Sequence, residues 1–190
     1  YGELEKNLNL HTGGFSMNMY TFFENNDDSK MIPKLVLNLK STNSKSEKMI
    51  ELAGEIVNST KLDDKDRLKS LLTRYQSNLE ARIKSEGYDF ANTRMKSYFS
   101  NEGMFSELMS GIEYYWFVTD LVKNFDSNSD NTIANLKKTM SLLFNKDNLE
   151  LFVICSDSDF KNFHEKLSNL KIAGERKNEY KNWNFKFEKK

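Results

Sequence analysis

Two adjacent glycines, Gly13-Gly14, stand directly ahead of a stretch in which Phe15, Met17 and Met19 alternate with Ser16, Asn18 and Tyr20. A period of two marks a half-buried strand and argues against a helix over these residues. The glycines open the backbone to close approach or to an unusual φ, at an entropic cost. Asn25-Asn26-Asp27-Asp28 reads as a polar turn, and Pro33 then admits a second strand from Lys34 to Lys40, with Leu35, Leu37 and Leu39 on one face. Consecutive strands of this kind pair as antiparallel neighbours.

After Ser44 the period changes to that of a helix. Ser44 to Ser46 supplies an N-cap, and Met49, Ile50, Ala53, Ile56 and Val57 form one apolar stripe that Asn58-Ser59-Thr60 stops. Asp63-Asp64 places acid at the positive end of the next helix, whose stripe runs from Leu68 to Ile83 before Gly87 breaks it. A third helix spans about Asp89 to Phe99 and buries Ala91, Met95 and Tyr98 or Phe99. Met104 to Val122 is the most apolar part of the chain, with Gly111 marking a bend or a close helix contact. Phe125 to Asp130 reads as a loop, and Ile133, Leu136, Met140, Leu143 and Phe144 as a further amphipathic helix. Leu149 to Ile154 reads as a buried strand that Cys155 closes, and Ser156-Asp157-Ser158-Asp159 caps a last helix carrying Phe160, Phe163, Leu167 and Leu170.

Strand, strand, several helices, strand, helix is the order of an α+β fold. The expected form is a two-layer domain in which several helices cover a small, mainly antiparallel sheet. The expected domain covers residues 1–173, and residues 174–190 form a linker towards a following domain. In that tail Trp183, Phe185 and Phe187 alternate, as a short strand or as linker lying on a neighbour. The opening Tyr1-Gly2-Glu3, without Met or a signal-peptide pattern, reads as a piece of a longer polypeptide.

Charge excludes some partners. Lys+Arg and Asp+Glu both number 28, so net charge is zero and gives no electrostatic case for nucleic acid or an anionic membrane. No apolar run approaches the roughly 20 residues that span a bilayer. One cysteine excludes an internal disulfide and fits a reducing compartment.

Catalytic patterns are equally sparse. The two histidines, His11 and His164, are too few for a three-ligand zinc site with helix spacing, so no metal site is expected. No nucleophile elbow, phosphate loop or dinucleotide fingerprint occurs, and no catalytic residue is assigned. Tyr114-Tyr115-Trp116-Phe117 reads as core plus interface, because consecutive helical residues point in different directions. Composition and spacing therefore describe a binding or scaffolding domain.

Three segments in fixed order carry a family likeness: Tyr1-Gly2-Glu3-Leu4 through Leu10-His11-Thr12-Gly13-Gly14-Phe15, then Leu62-Asp63-Asp64-Lys65-Asp66-Arg67-Leu68, then Ser110-Gly111-Ile112-Glu113-Tyr114. The chain resembles the non-catalytic domain that follows the central helical region in the presequence-protease branch of insulinase-like (pitrilysin-type) zinc metallopeptidases. The likeness runs to about Leu170. It implies a metallopeptidase-like fold without the zinc site, in a parent with four homologous α+β domains around a closed chamber. In such a parent the first domain holds zinc through an inverted His-x-x-Glu-His motif, and unfolded peptides are degraded inside. This fragment would be inactive, while the parent would be a zinc metalloendopeptidase.

The partners so implied are sibling domains of the same polypeptide and unfolded peptide substrates, with self-association of the isolated fragment where Trp116 and Phe117 lack their cover. The implied compartment is the bacterial cytosol, or alternatively an organelle matrix. Gly13, Gly14, Phe15 and Met17 become candidate substrate-binding residues, an exposed strand offering backbone to a peptide. The plainer alternative is that the glycines permit a turn and a tight contact with a helix. A second class of function also stands, an unrelated α+β interaction module that binds a partner protein through its aromatic helix.

Overall fold

A computed structural model of the chain describes residues 2–25, 27–170, Ile172 and Phe185. Its fold is α+β, with one two-stranded antiparallel sheet and eight α-helices among the described residues. In chain order these are α1 (Gly2–His11), β1 (Gly14–Glu24), β2 (Asp27–Lys40), α2 (Ser46–Ser59), α3 (Lys65–Ser85), α4 (Gly87–Lys96), α5 (Asn101–Ser110), α6 (Ile112–Lys123), α7 (Phe125–Leu143) and α8 (Asp157–Leu167). The chain falls into two compact units. One comprises residues 1–20, 34–61 and 137–180; the other comprises 21–33, 62–136 and 181–190.

In the first unit α2 packs against α1 and α8, and buries Ile50, Leu52 and Ile56. Short polar ties fasten the unit's edges: Lys45 Nζ donates to Leu10 O at 2.5 Å, and Lys166 Nζ to Ser46 Oγ at 3.2 Å. Thr12 ends α1 by donating from both Oγ1 and its backbone N to Leu8 O. That helix escaped the sequence reading because it buries no residue, leaving no apolar stripe to detect.

The second unit is a helical cluster, with α3 on α6 and α4, and α5 between α4 and α6. Its core is Met31, Leu79, Phe90, Phe105, Val118, Phe125 and Ile133. Asp64 caps α3, accepting from Arg67 N at 2.9 Å, and Ser100 caps α5 through Gly103 N at 2.9 Å. Each cap satisfies a backbone donor that the first turn of a helix leaves open.

Several expectations need correction. β2 begins at Asp27, so the turn is shorter than the four residues expected and Pro33 lies inside the strand. A two-stranded sheet leaves each strand one unpaired edge, where a residue without an N–H is tolerated. Ser46 does not cap α2; its Oγ donates back to Asn43 O, and a 3-10 turn over Asn43–Lys45 precedes the helix. In α4 the buried side is that of Phe90, whereas Met95, Tyr98 and Phe99 are exposed. Residues 125–130 are helix rather than loop, with a kink at Asn128, because Phe125, Ser129, Thr132 and Ile133 are drawn into the core.

The largest departure is at Leu149 to Ile154, which is neither strand nor buried: Phe152 is 89% and Ile154 fully exposed. Cys155 is exposed as well. Among the described residues no strand pairs with this segment. The expected alternation of Trp183, Phe185 and Phe187 lies outside the described residues, apart from Phe185.

Candidate functional site

The four candidate substrate-binding residues sit together at the start of β1. Gly13 N donates to Lys40 O at 2.6 Å, which fixes the register of the hairpin base. Asn38 Nδ2 reaches Ser16 Oγ across the strands at 3.4 Å. Gly14 has φ +153°, a conformation that side-chain-bearing residues rarely adopt, and nothing lies within 4 Å of where its Cβ would be. A Cβ on Gly13 would instead meet Lys40 O at an ordinary 3.7 Å. The two glycines therefore differ: Gly14 needs its backbone freedom, and Gly13 does not. Among the described residues the nearest atoms to a Cβ on Gly13 belong to Lys40 of β2, not to a helix, and none lies within 4 Å of one on Gly14.

From this point the strand exposes Phe15, half-buries Met17 on the same side, and carries no charge until Glu24. One edge of β1 pairs with β2, and the other has no strand partner among the described residues. Such an edge presents a row of backbone donors and acceptors together with apolar side chains, the chemistry that adds an extended peptide as a further strand.

A second cluster, which the sequence reading missed, joins α4, α5 and α6 of the second unit. Glu107 is fully buried; its Oε1 accepts from Glu113 N at 3.0 Å and from Arg94 Nη1 at 3.3 Å. Arg94 Nη1 also reaches Glu113 Oε1 at 2.7 Å, and Arg94 Nε lies 3.2 Å from Tyr98 Oη. The bond to Glu113 holds the Arg94 guanidinium above its ordinary range despite partial burial. Among the described residues Glu107 Oε2 has no hydrogen-bond partner. Arg94 bridges the two carboxylates, which leaves one formal negative charge in excess, and Glu107 caps α6. The one signal in the sequence was Gly103, Glu107 and Gly111 at spacings of four, which share a helix face.

The aromatic run of α6 divides as its helical positions require. Tyr114 stands edge-on to Tyr75 at 6.1 Å and stacks with Phe117 at 6.4 Å, while Trp116 and Phe117 are exposed. Burial first, and then the hydrogen bond with Tyr75, push the Tyr114 phenol up to about 12.

Among the described residues no three His, Cys, Asp or Glu side chains come together in a way that holds a metal ion. His11 ends α1 and His164 lies exposed on α8, its ring 5.9 Å from Phe160. A zinc centre with three protein ligands does not fit what these residues offer. No described helix is long and apolar enough to cross a membrane.

Comparison with known proteins places this geometry in context. The chain is 33% identical over 189 residues to a protein named HypA from Clostridium perfringens, an alignment covering 99% of this chain and 19% of HypA. It is 28% identical over 151 residues to a mitochondrial presequence protease of Drosophila melanogaster, covering 78% of this chain and 14% of that protein. Against the mitochondrial presequence protease of Saccharomyces cerevisiae it is 26% identical over 165 residues, 84% of this chain and 16% of the yeast protein. The chain thus spans a fifth or less of the length of these relatives. Residues 1–121, which include the hairpin and the Arg94–Glu107–Glu113 cluster, match the family described as peptidase M-16C associated. With more than half of its length so matched, the chain belongs to the peptidase M-16C-associated family.

Proposed function

We propose that the chain is a non-catalytic domain of a longer zinc-dependent peptidase that degrades unfolded peptides, and that it forms part of the wall of a closed chamber. The observation that carries this reading is the near-complete alignment of the chain within a relative about five times as long, together with the match of residues 1–121 to a peptidase-associated family. The zinc would be held by residues outside the described ones, so no chemical step is assigned to this chain. Residues 1–173 would be the domain proper and 174–190 a linker. The bacterial relative supports a bacterial cytosol for the parent, and the relatives named as mitochondrial support an organelle matrix as the alternative. Family membership answers the reading of the chain as an unrelated interaction module.

Within this reading the open edge of β1 beyond Gly14 receives peptide backbone, while Phe15 and Met17 meet apolar substrate side chains. The test uses the full-length protein encoded by the parent gene. Zinc analysis and cleavage of an unfolded peptide are expected to be positive for it and negative for the 190-residue chain. A parent lacking a zinc motif, or turnover by the chain alone, would overturn the reading. For the contact itself, Phe15→Ser and Gly14→Val in the full-length enzyme are expected to raise KM. An unchanged KM in two well-folded variants removes the peptide contact and leaves the wall.

A further inference from the structure

The segment Leu149-Glu150-Leu151-Phe152-Val153-Ile154 has the composition of a strand and the surroundings of none. Its first residue, Leu149, and Ser156 just beyond its end both have extended backbone angles. Its side chains alternate in environment. Leu149 and Leu151 line a cavity of about 430 Å³ with Leu167, Leu170 and Ile172. Phe152 and Ile154, of opposite parity, stand almost wholly in solvent. Glu150, the one charge in the run, is paired with Lys34 of β2.

A strand that is apolar on both sides belongs in a sheet covered on both faces. Exposed strand edges are ordinarily guarded by charged side chains, lysine above all, by proline or by a bulge, because an unguarded one templates aggregation. Leu149–Ile154 contains no lysine or proline, and its one charged side chain, Glu150, is tied to Lys34. From this exposure and parity, and from the lack of lysine or proline, we infer that Leu149–Ile154 is one strand of a sheet whose next strand comes from outside residues 1–190 of the same polypeptide. That strand pairs through its backbone and places apolar side chains against Phe152 and Ile154.

This inference rests on the reading of the chain as part of a longer protein. The alignment to HypA covers 189 residues, which takes in this segment, and most of HypA lies beyond it, so the relative has ample chain to supply the partner. Pairing within one polypeptide also avoids the concentration dependence of association between copies.

Hydrogen exchange, read by mass spectrometry at peptides covering residues 150–155, tests the proposal on the full-length protein and on the 190-residue chain. The expected result is at least roughly 100-fold slower exchange in the full-length protein, with fast exchange in the chain alone at every concentration. Ile154→Lys is expected to lower Tm in the full-length protein and to leave the 190-residue chain unchanged. Protection in the chain alone would overturn the inference: if independent of concentration it assigns the cover to this chain, and if rising with concentration, to a second copy. Fast exchange in a full-length protein that retains peptidase activity would overturn this inference alone. A gene that ends with this chain would overturn both it and the proposed function.

Discussion

Glu107 and Gly111 share one space. A Cβ built on Gly111 would lie 2.1 Å from Glu107 Oε2, closer than any two such atoms can approach. The other carboxylate oxygen accepts from Glu113 N in the first turn of α6, where the helix dipole favours negative charge. About two helical turns before Gly111, Gly103 is as crowded, its Cβ position 2.2 Å from Lys96 O at the end of α4. Two glycines thus let α5 close on its neighbours, and the buried glutamate between them ties α5 to α6.

Gly111→Ala is therefore expected to destabilise the chain by about 1–3 kcal/mol, the range for overpacking a filled core. Glu107→Ala relieves the clash but takes one of the two carboxylates from Arg94 and strands the N–H of Glu113. The double variant should cost less than the sum of the two singles, by more than about 0.5 kcal/mol. Urea midpoints with constant slope give the comparison, and simple additivity would show that the two residues do not compete for the same volume.

Arg94→Met removes the cation from a carboxylate that is fully buried, and should cost about 3 kcal/mol. Lys84→Met, which breaks the exposed pair with Glu80, should leave the midpoint where it was. Equal effects from the two would mean that burial does not set the value of the Arg94 pair.

How much of this was legible in the sequence depends on whether the determining interaction was local. Asp64 and Ser156 cap their helices where the sequence placed helix starts, because an N-cap bond spans only a few residues. Gly111 separates α5 from α6 at the expected bend. The buried face of α4 was not legible: Phe90 and Met95 are both apolar, and only packing selects Phe90. The polar run after Phe125 was assigned to a loop because its composition is that of a turn, yet tertiary contacts hold it helical. Gly13 to Met17 was legible as an open strand start, whereas Glu107 looked like any surface glutamate. Residues 149–154 have the composition of a strand, but a strand needs a neighbour to pair with, and none pairs with them among the described residues.

Stability should fall with alkaline pH through Tyr114. Its folded phenol is raised to about 12, mainly by burial, so the folded state holds this proton more tightly than the unfolded chain. The contribution is complete below the ordinary tyrosine range near 10 and is lost as pH climbs towards about 12. Tyr114→Phe should flatten that limb of the stability curve. Phenolate absorbance of the folded chain should show one tyrosine ionising later than the others, and its persistence in Tyr114→Phe would move the assignment elsewhere.

Cys155 should react with a maleimide at the rate of a free thiol, without denaturant, since it is exposed and follows an unpaired segment. One equivalent per chain is expected within minutes. Reaction only after unfolding would restore the buried position that its apolar neighbours suggest.

The two glycines of the hairpin should separate cleanly under substitution. Gly14→Ala forces a side chain into φ +153° and should cost about 1–2 kcal/mol although nothing stands nearby. Gly13→Ala meets Lys40 at ordinary contact distance and should change stability by less than about 0.5 kcal/mol. Its bond from N to Lys40 O survives the substitution, so the hairpin register is kept. Thermal melts of the two variants decide the matter. A larger loss from Gly13→Ala would mean that close packing against β2, rather than the torsion at Gly14, is why two glycines precede this strand.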